Sequence, residues 1–349
     1  MDMLGRLALE LVNIRSVSRQ EQQITTWIGE RVARVPRLRV IHRQEDAIVF
    51  GLPGRPDVVL AGHSDTVPEQ GNLPGRLVDG HVHGLGAADM KGSLAVMLTL
   101  AAELGRVQPR LNPLFVIFGR EERPLAESVL DQLFTSCPSI LQARLAVMME
   151  PTANRLQAGC LGNIVASLVF HGVAAHAARP WLGVNAIHEA VHGLRPVVEA
   201  QPEEVELGGL TFREVLSVTE IAGGIANNVI PDRVACGLNF RYGGHRSQAQ
   251  AEARLGELVG PAGELRIESN APSAPVATEN PLLQSLRRAG DLPIEAKQAW
   301  TPVAEFAAHG LDAVNFGPGD PEFAHRRDEQ VSVNAMADSL TIMRNFLCS

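Results

Sequence analysis

The chain has 349 residues, a formal net charge of −8 at pH 7, and 45% hydrophobic against 20% charged residues. That composition is globular, it excludes a disordered chain, and the length predicts two domains. The acidic balance excludes nucleic acid as a partner, and the absence of an apolar run of ~18 residues predicts no membrane span.

Apolar residues recur at helical spacing over 3–12 and 21–32. The start, Met1 to Arg6, is acidic and reads as an amphipathic helix rather than a secretory signal, so a cytoplasmic protein is expected. Strands are predicted over 57–61, 114–118 and 145–149, with a helix over 93–104 between the first two. From 163 the texture changes: strand 163–170, helix 186–198, strands 215–221 and 233–241, helix 248–258, strand 264–268. That order is β-α-β-β-α-β, a ferredoxin-like arrangement. The Pro- and Ser-containing stretch 269–275 predicts a linker back, and a last strand spans 313–316. The expected fold is α/β. A mainly parallel sheet flanked by helices (1–162 and 272–349) carries an inserted ferredoxin-like lid or dimerisation domain (163–271). Cys137, Cys160, Cys236 and Cys348 show no CxxC spacing and read as reduced thiols. Only Lys91 and Lys297 are lysines among the 31 basic residues, and Lys91 is expected to support the loop after Asp89.

The four strands of the first domain share a feature. Each runs into residues of metal-ligand type: His63 and Asp65, Glu121 and Glu122, Glu150, and His325 beyond a Gly-Pro-Gly loop. Asp89 follows the Gly-rich stretch Gly84-Leu85-Gly86-Ala87-Ala88. Open parallel sheets gather ligands at the carboxyl ends of their strands. Singly, a His-x-Asp or a Glu-Glu pair reads as loop or solvated face; together at strand ends they read as a metal centre. Two histidines with several carboxylates suit zinc or a similar divalent ion. Five candidates, His63, Asp89, Glu150, His325 and one of Glu121 and Glu122, exceed what one ion needs and suggest two ions sharing a carboxylate. Asp65, two residues from His63, is placed to hold its imidazole. His81 and His83 form a His-x-His pair but read as strand residues.

On these residues the chain resembles the di-zinc amidohydrolases and metallopeptidases that include succinyl-diaminopimelate desuccinylase, acetylornithine deacetylase and glutamate carboxypeptidase. The matching motifs are Gly62-His63-Ser64-Asp65-Thr66-Val67-Pro68, the loop Gly84 to Gly92, Glu121-Glu122, Met149-Glu150-Pro151-Thr152 and His325. Two further motifs, His171 to Ala177 and Asn228-Val229-Ile230-Pro231, match the lid. The stretches 157–162, 175–185 and 316–321 are most similar to the desuccinylase branch.

The resemblance implies two Zn²⁺ per subunit, replaceable by Co²⁺ or Mn²⁺. Asp89 would bridge them, His63 and Glu150 would complete one site, and Glu122 and His325 the other. Glu121 would be the general acid and base, and Asp65 would orient His63. It implies a homodimer in which His176 comes from the partner's lid to stabilise the oxyanion. It also implies an acyl amino acid as substrate, contacted by Arg179, Asn228, Arg241 and Thr301. Glutamate at 150 speaks against an aminopeptidase. The expected reaction is hydrolysis of the amide of an N-acyl amino acid, first of all a succinylated one, with an acetylornithine-type deacetylase or another acyl-amino-acid hydrolase or carboxypeptidase as the alternative and a non-catalytic metal-binding scaffold as the remote one. The chain departs from the family pattern at Leu85, where arginine is usual. It departs again at Ala299-Trp300-Thr301-Pro302-Val303, which keeps the threonine of the desuccinylase motif and loses its aspartate.

Overall fold

Four of the apolar runs become neighbouring strands of one eight-stranded sheet. In spatial order they are Pro113–Phe118, Val58–His63, Leu145–Met148 and Ala313–Asn315, all parallel to one another. Each residue of these strands is buried, which is why they read as continuous apolar runs rather than as alternating ones. Further strands extend both sides: antiparallel Ala47–Gly51 and Arg39–Arg43 beyond the first, antiparallel Leu156–Ala158 beyond the last, and Ile294–Ala296 at that outer edge. The helix Gly92–Leu104 is buried along most of its length, in keeping with its nearly unbroken apolar sequence. A small antiparallel sheet joins Gln330–Ser332, His81–His83 and Arg76–Val78, so His81 and His83 are strand residues.

The computed structural model describes residues 2–349, and Met1 of the predicted first helix lies outside them. That helix runs Asp2–Val12. Among the described residues, no helix is long and apolar enough to cross a membrane.

The chain divides into two compact units. The first takes the chain up to Gly159, then Ala277–Glu295 and Pro302–Ser349; the second takes Cys160–Val276 and Ala296–Thr301. The second unit therefore claims a short segment that the sequence reading assigned to the first. Its side chains explain why. Gln298 accepts from the Arg213 amide at 3.1 Å and donates to the Thr211 carbonyl at 3.1 Å. The Trp300 indole donates to the Pro272 carbonyl at 3.1 Å, and the Cys160 thiol to the Thr301 carbonyl at 3.8 Å.

In the second unit five antiparallel strands lie in the order Glu203–Leu207, Leu210–Gly223, Arg233–Tyr242, Gly162–His171, Glu264–Ala271. Without the first, this is the expected ferredoxin-like set. Helices Ala186–Gly193, Arg195–Glu199 and Gln248–Val259 cover one face, packing Ala190, Val197 and Leu255 onto Ile164, Leu168, Phe170 and Phe240. A Ser247–Gln250 capping box starts the last of these helices. Along Arg233–Tyr242 burial alternates, so Asn239 and Arg241 belong to the opposite face. The single helix expected over 186–198 is two. Pro196 has no N–H to continue the first and instead sits in the first turn of the second. The expected linker begins later, because strand Glu264–Ala271 continues three residues beyond the predicted end.

Candidate metal centre

The ends of the four parallel strands deliver the predicted residues to one place in the first unit. His63 is the last residue of its strand and is buried, as is Asp65. Glu121 and Glu122 follow Phe118 after two residues and are half-buried; Glu150 follows Met148 after one and is buried. His325, on the loop after Ala313–Asn315, is exposed. Asp89 arrives from the loop before helix Gly92–Leu104, across a cis peptide to Met90. Two glycines make the assembly possible. A Cβ at Gly317 would lie 2.5 Å from the Met149 and Glu150 carbonyl oxygens, and one at Gly319 would lie 2.2 Å from the Ala88 carbonyl. Only a residue without a side chain lets the 317–319 loop rest against the segments that carry Glu150 and Asp89.

Asp89 stands between the two histidines. Its Oδ1 is 2.9 Å from His63 Nε2 and its Oδ2 is 3.5 Å from His325 Nε2. The same His325 nitrogen is 2.8 Å from Glu122 Oε1. Three sets of donor atoms lie within 4.8 Å of one another: His63, Asp89 and Glu150; Asp89, Glu122 and His325; His63, Glu121 and Glu122. The electrostatics call for positive charge. Asp89 and Glu122 raise the His325 pKa to about 10. Burial works against a charged His63, but Asp65 and Asp89 outweigh it and hold its pKa well above the usual value. Burial also works against a charged Asp89, yet hydrogen bonds to His325 and His63 keep its carboxyl well below the carboxylate range. Burial, with the Glu150 charge adding to it, pushes the Glu121 carboxyl well above that range. Imidazole and carboxylate donors this closely packed, with one carboxylate common to two sets, fit a pair of divalent ions.

A layer of residues holds these donors in place. The Asp65 carboxylate accepts from the Ser18 hydroxyl at 2.5 Å, the Glu121 amide at 3.2 Å and the Glu122 amide at 3.1 Å. The His63 imidazole meets the Asp65 carbonyl at 3.1 Å and the Asp65 carboxylate at 3.5 Å, so Asp65 holds the ring chiefly through its backbone. Glu21 accepts from the Arg120 amide at 3.2 Å, beside the Glu121–Glu122 pair. Glu329 accepts from the amides of Gly86 at 2.8 Å, Ala88 at 3.0 Å and Asp89 at 3.0 Å, so one buried carboxylate gathers the loop that presents Asp89. Lys91 donates to the Ile14 carbonyl at 2.7 Å, a supporting role. Burial lowers its pKa to about 7. Sequence reasoning missed Ser18, Glu21 and Glu329. The nearest signal for the last was its place four residues after His325.

The remaining predicted residues belong to the second unit. His176 pairs with Val229 in a two-stranded ladder and is exposed. Its Nδ1 accepts from the Ala178 amide at 3.0 Å, which leaves the ring proton on Nε2. The Ala177 amide donates to the Asn228 carbonyl at 2.9 Å, bringing Asn228 beside this turn. Arg179 is exposed, Arg241 half-buried, and Thr301 buried, its hydroxyl without a hydrogen-bond partner among the described residues.

The model of Peptidase family M20/M25/M40 matches residues 59–349. The chain belongs to this family. Its members act on amide bonds and use metal ions. A Corynebacterium glutamicum succinyl-diaminopimelate desuccinylase is 38% identical over 362 residues, covering 99% of this chain and 97% of the relative. A Mycobacterium tuberculosis protein provisionally named succinyl-diaminopimelate desuccinylase is 37% identical over 345 residues, covering 98% and 97%. Among solved structures, a Staphylococcus aureus tripeptidase superposes with a TM-score of 0.81 at 20% identity, covering 99% of this chain and 97% of that one. A dinuclear metal-binding M20 peptidase of Bacillus subtilis superposes with a TM-score of 0.68 at 16% identity, covering 98% and 96%. At those identities the structures speak to the fold alone.

Proposed function

We propose that the chain hydrolyses N-succinyl-L,L-diaminopimelate to succinate and L,L-diaminopimelate. The observation that carries this reading is the 37–38% identity, along nearly the whole chain, to relatives bearing the desuccinylase name. The placement of Asp89 between two histidines supplies a matching centre.

His63, Asp89 and Glu150 would hold one Zn²⁺, and Asp89, Glu122 and His325 a second, with Co²⁺ or Mn²⁺ able to replace them. When bound, such a pair polarises the amide carbonyl and makes water acidic enough to lose a proton near neutral pH. Glu121 takes the proton from the attacking water and delivers it to the leaving nitrogen. That role is worth roughly 10²–10⁴ in rate. Asp65 fixes the base by accepting from its backbone amide. His176 donates from Nε2 to the oxyanion, and this proposal assigns it to the second unit of another copy. Arg179, Asn228, Arg241 and Thr301 would contact the substrate, the arginines meeting its carboxylates.

A homodimer is supported by the surface of the second unit. Trp181 is 75% exposed, Val191 64%, Val198 72% and Ile225 86%, apolar side chains that a second copy would cover. A cytoplasmic location is supported by four cysteines that are all free.

The test is hydrolysis of N-succinyl-L,L-diaminopimelate by the zinc-loaded protein, with N-acetylornithine in parallel. Preferential release of succinate is expected. Turnover of acetylornithine alone overturns the acyl assignment, and saturation at one ion per chain overturns the metal pair.

A further inference from the structure

Glu21 is a carboxylate to which the proposed reaction gives no task, although the fold buries it to 2% exposure. It stands at the N-cap of helix Gln22–Val32, yet its side chain makes no capping bond there. It turns instead to two other backbone amides. A single oxygen, Oε1, accepts from the Arg19 amide at 2.8 Å and from the Arg120 amide at 3.2 Å. Both donors belong to non-glycine residues in the left-handed region, Arg19 with φ 76° and Arg120 with φ 62°. That region crowds a Cβ against the backbone, so a residue with a side chain stays there only where its surroundings hold it.

Arg120 immediately precedes the Glu121–Glu122 pair, so its conformation sets the direction the chain takes after strand Pro113–Phe118. Its contacts serve that end. A Cβ at Gly119 would lie 2.6 Å from Glu21 Cγ and 2.7 Å from Oε1, so the carboxyl rests directly against the turn. The Arg120 guanidinium is 2.7 Å from Asp46, which Gln44 orients by a hydrogen bond of 2.8 Å. The next two amides, those of Glu121 and Glu122, go to Asp65. Consecutive amides from Arg120 to Glu122 are thus taken by two buried carboxylates. Both carboxylates are tied to one short segment, Glu21 as its member and Asp65 through the Ser18 hydroxyl.

We propose that Glu21 is a positioning residue for the reaction: by holding Arg120 in the left-handed conformation, it aims Glu121 as the base and Glu122 as the ligand. The proposal rests on the roles given to that pair above. The two side chains and His63 bring donor atoms within 4.8 Å of one another, so a small rotation of the turn would exchange which carboxylate meets the ion. Groups of this kind must be held within about 0.5 Å of their working geometry, and the bonds that hold the turn are what supply that precision.

The experiment uses the zinc-loaded protein and reads steady-state rates, hydrogen exchange at the Arg120 amide, and zinc affinity by chelator competition. Glu21→Met keeps the length of the side chain and removes the acceptor, whereas Glu21→Gln keeps an oxygen. At saturating zinc, Glu21→Met should lower kcat by about tenfold or more with KM within about threefold, and Glu21→Gln should stay within about threefold of wild type in both. Exchange at the Arg120 amide should quicken by about tenfold or more in Glu21→Met and not in Glu21→Gln. Arg120→Val is a second variant, at a side chain 40% exposed, and should reproduce the loss of kcat because a β-branched residue resists the left-handed region. Glycine enters that region freely, so Glu21→Met should cost about threefold or less when combined with Arg120→Gly. An equal loss with and without Arg120→Gly overturns the proposal, as does an unchanged kcat or an unchanged Arg120 exchange rate in folded Glu21→Met. If wild type cleaves no succinylated substrate, faster Arg120 exchange with about tenfold weaker zinc binding in Glu21→Met upholds the positioning and overturns the substrate reading alone.

Discussion

The two histidines that face Asp89 are held in opposite ways. His63 ends a central strand, its side chain is wholly buried, and its second ring nitrogen is taken by the Asp65 carbonyl at 3.1 Å. His325 lies on a loop with a left-handed φ of 61°, its side chain is 52% exposed, and its ring meets only Glu122 and Asp89 among the described residues. A ligand fixed by its own backbone loses little freedom when a metal arrives. A ligand on a loop must be ordered by what it binds. On the proposed ligand assignment, the His63 side would be the preformed one and the His325 side the one that a bound ion would order.

The largest expected effect tests the residue between the two flanks. Glu121 shares a donor set with His63 and Glu122, so geometry alone allows it to be ligand or base. Glu121→Gln should lower kcat by roughly 10²–10⁴ while both ions stay bound. Metal content by mass spectrometry beside the rate decides it: loss of an ion makes Glu121 a ligand, and near-normal turnover removes it from the chemistry.

The next effect breaks the comparison itself. His63→Ala should lose the tighter ion, and His325→Ala should keep one ion at close to wild-type affinity. Competition against a chelator measures both. Equal loss of both ions from the two variants would mean that burial and strand placement do not set the order of binding.

A smaller effect comes from Glu329, which touches no predicted ligand atom but accepts from the Asp89 amide. Glu329→Gln keeps the shape and removes the charge that gathers three amides. Metal affinity should fall by about 10–100-fold, the usual cost of disturbing a residue behind a ligand. Unchanged affinity would show that the Asp89 loop holds its form without that carboxylate.

What the sequence made legible follows the same division. His63, Glu121, Glu122 and Glu150 could be placed because each sits within a few residues of the end of an apolar run, and a parallel sheet brings such ends together. His325 was placed more loosely, from the Gly-Pro-Gly loop that follows the last apolar run, because it lies nine residues beyond that run and the loop between them obeys no period. Ser18, Glu21 and Glu329 were invisible for a different reason. Glu21 and Glu329 bind backbone amides far along the chain, and an amide carries no residue identity to form a pattern. Ser18 reaches Asp65 across 47 positions. In the second unit the ferredoxin-like order was readable from alternation, but the strand Glu203–Leu207 was not, being short and largely acidic. The segment Ala296–Thr301 joins that unit through Gln298 and Trp300 side chains, bonds that no local pattern announces.

The smallest effect on the centre should come from a buried carboxylate outside it. Burial pushes the Glu305 carboxyl up to about 7, against the pull of the Ser128 hydroxyl it accepts from at 2.5 Å. Its folded form holds a proton more tightly than the unfolded chain, whose carboxyl titrates near ~4.3. Stability from this group is therefore fully present below ~4.3 and falls as pH rises toward 7, levelling above it. Glu305→Gln has no proton to lose and keeps an oxygen for Ser128. The variant should gain on wild type between pH 5 and 8 by on the order of 1–3 kcal/mol, with metal affinity unchanged. Urea unfolding at the two pH values, with chelator competition alongside, measures both. Parallel stability profiles would remove the buried proton, and a loss of metal comparable to that of Glu329→Gln would mean that any buried carboxylate in this unit supports the centre, not only the one that gathers the Asp89 loop.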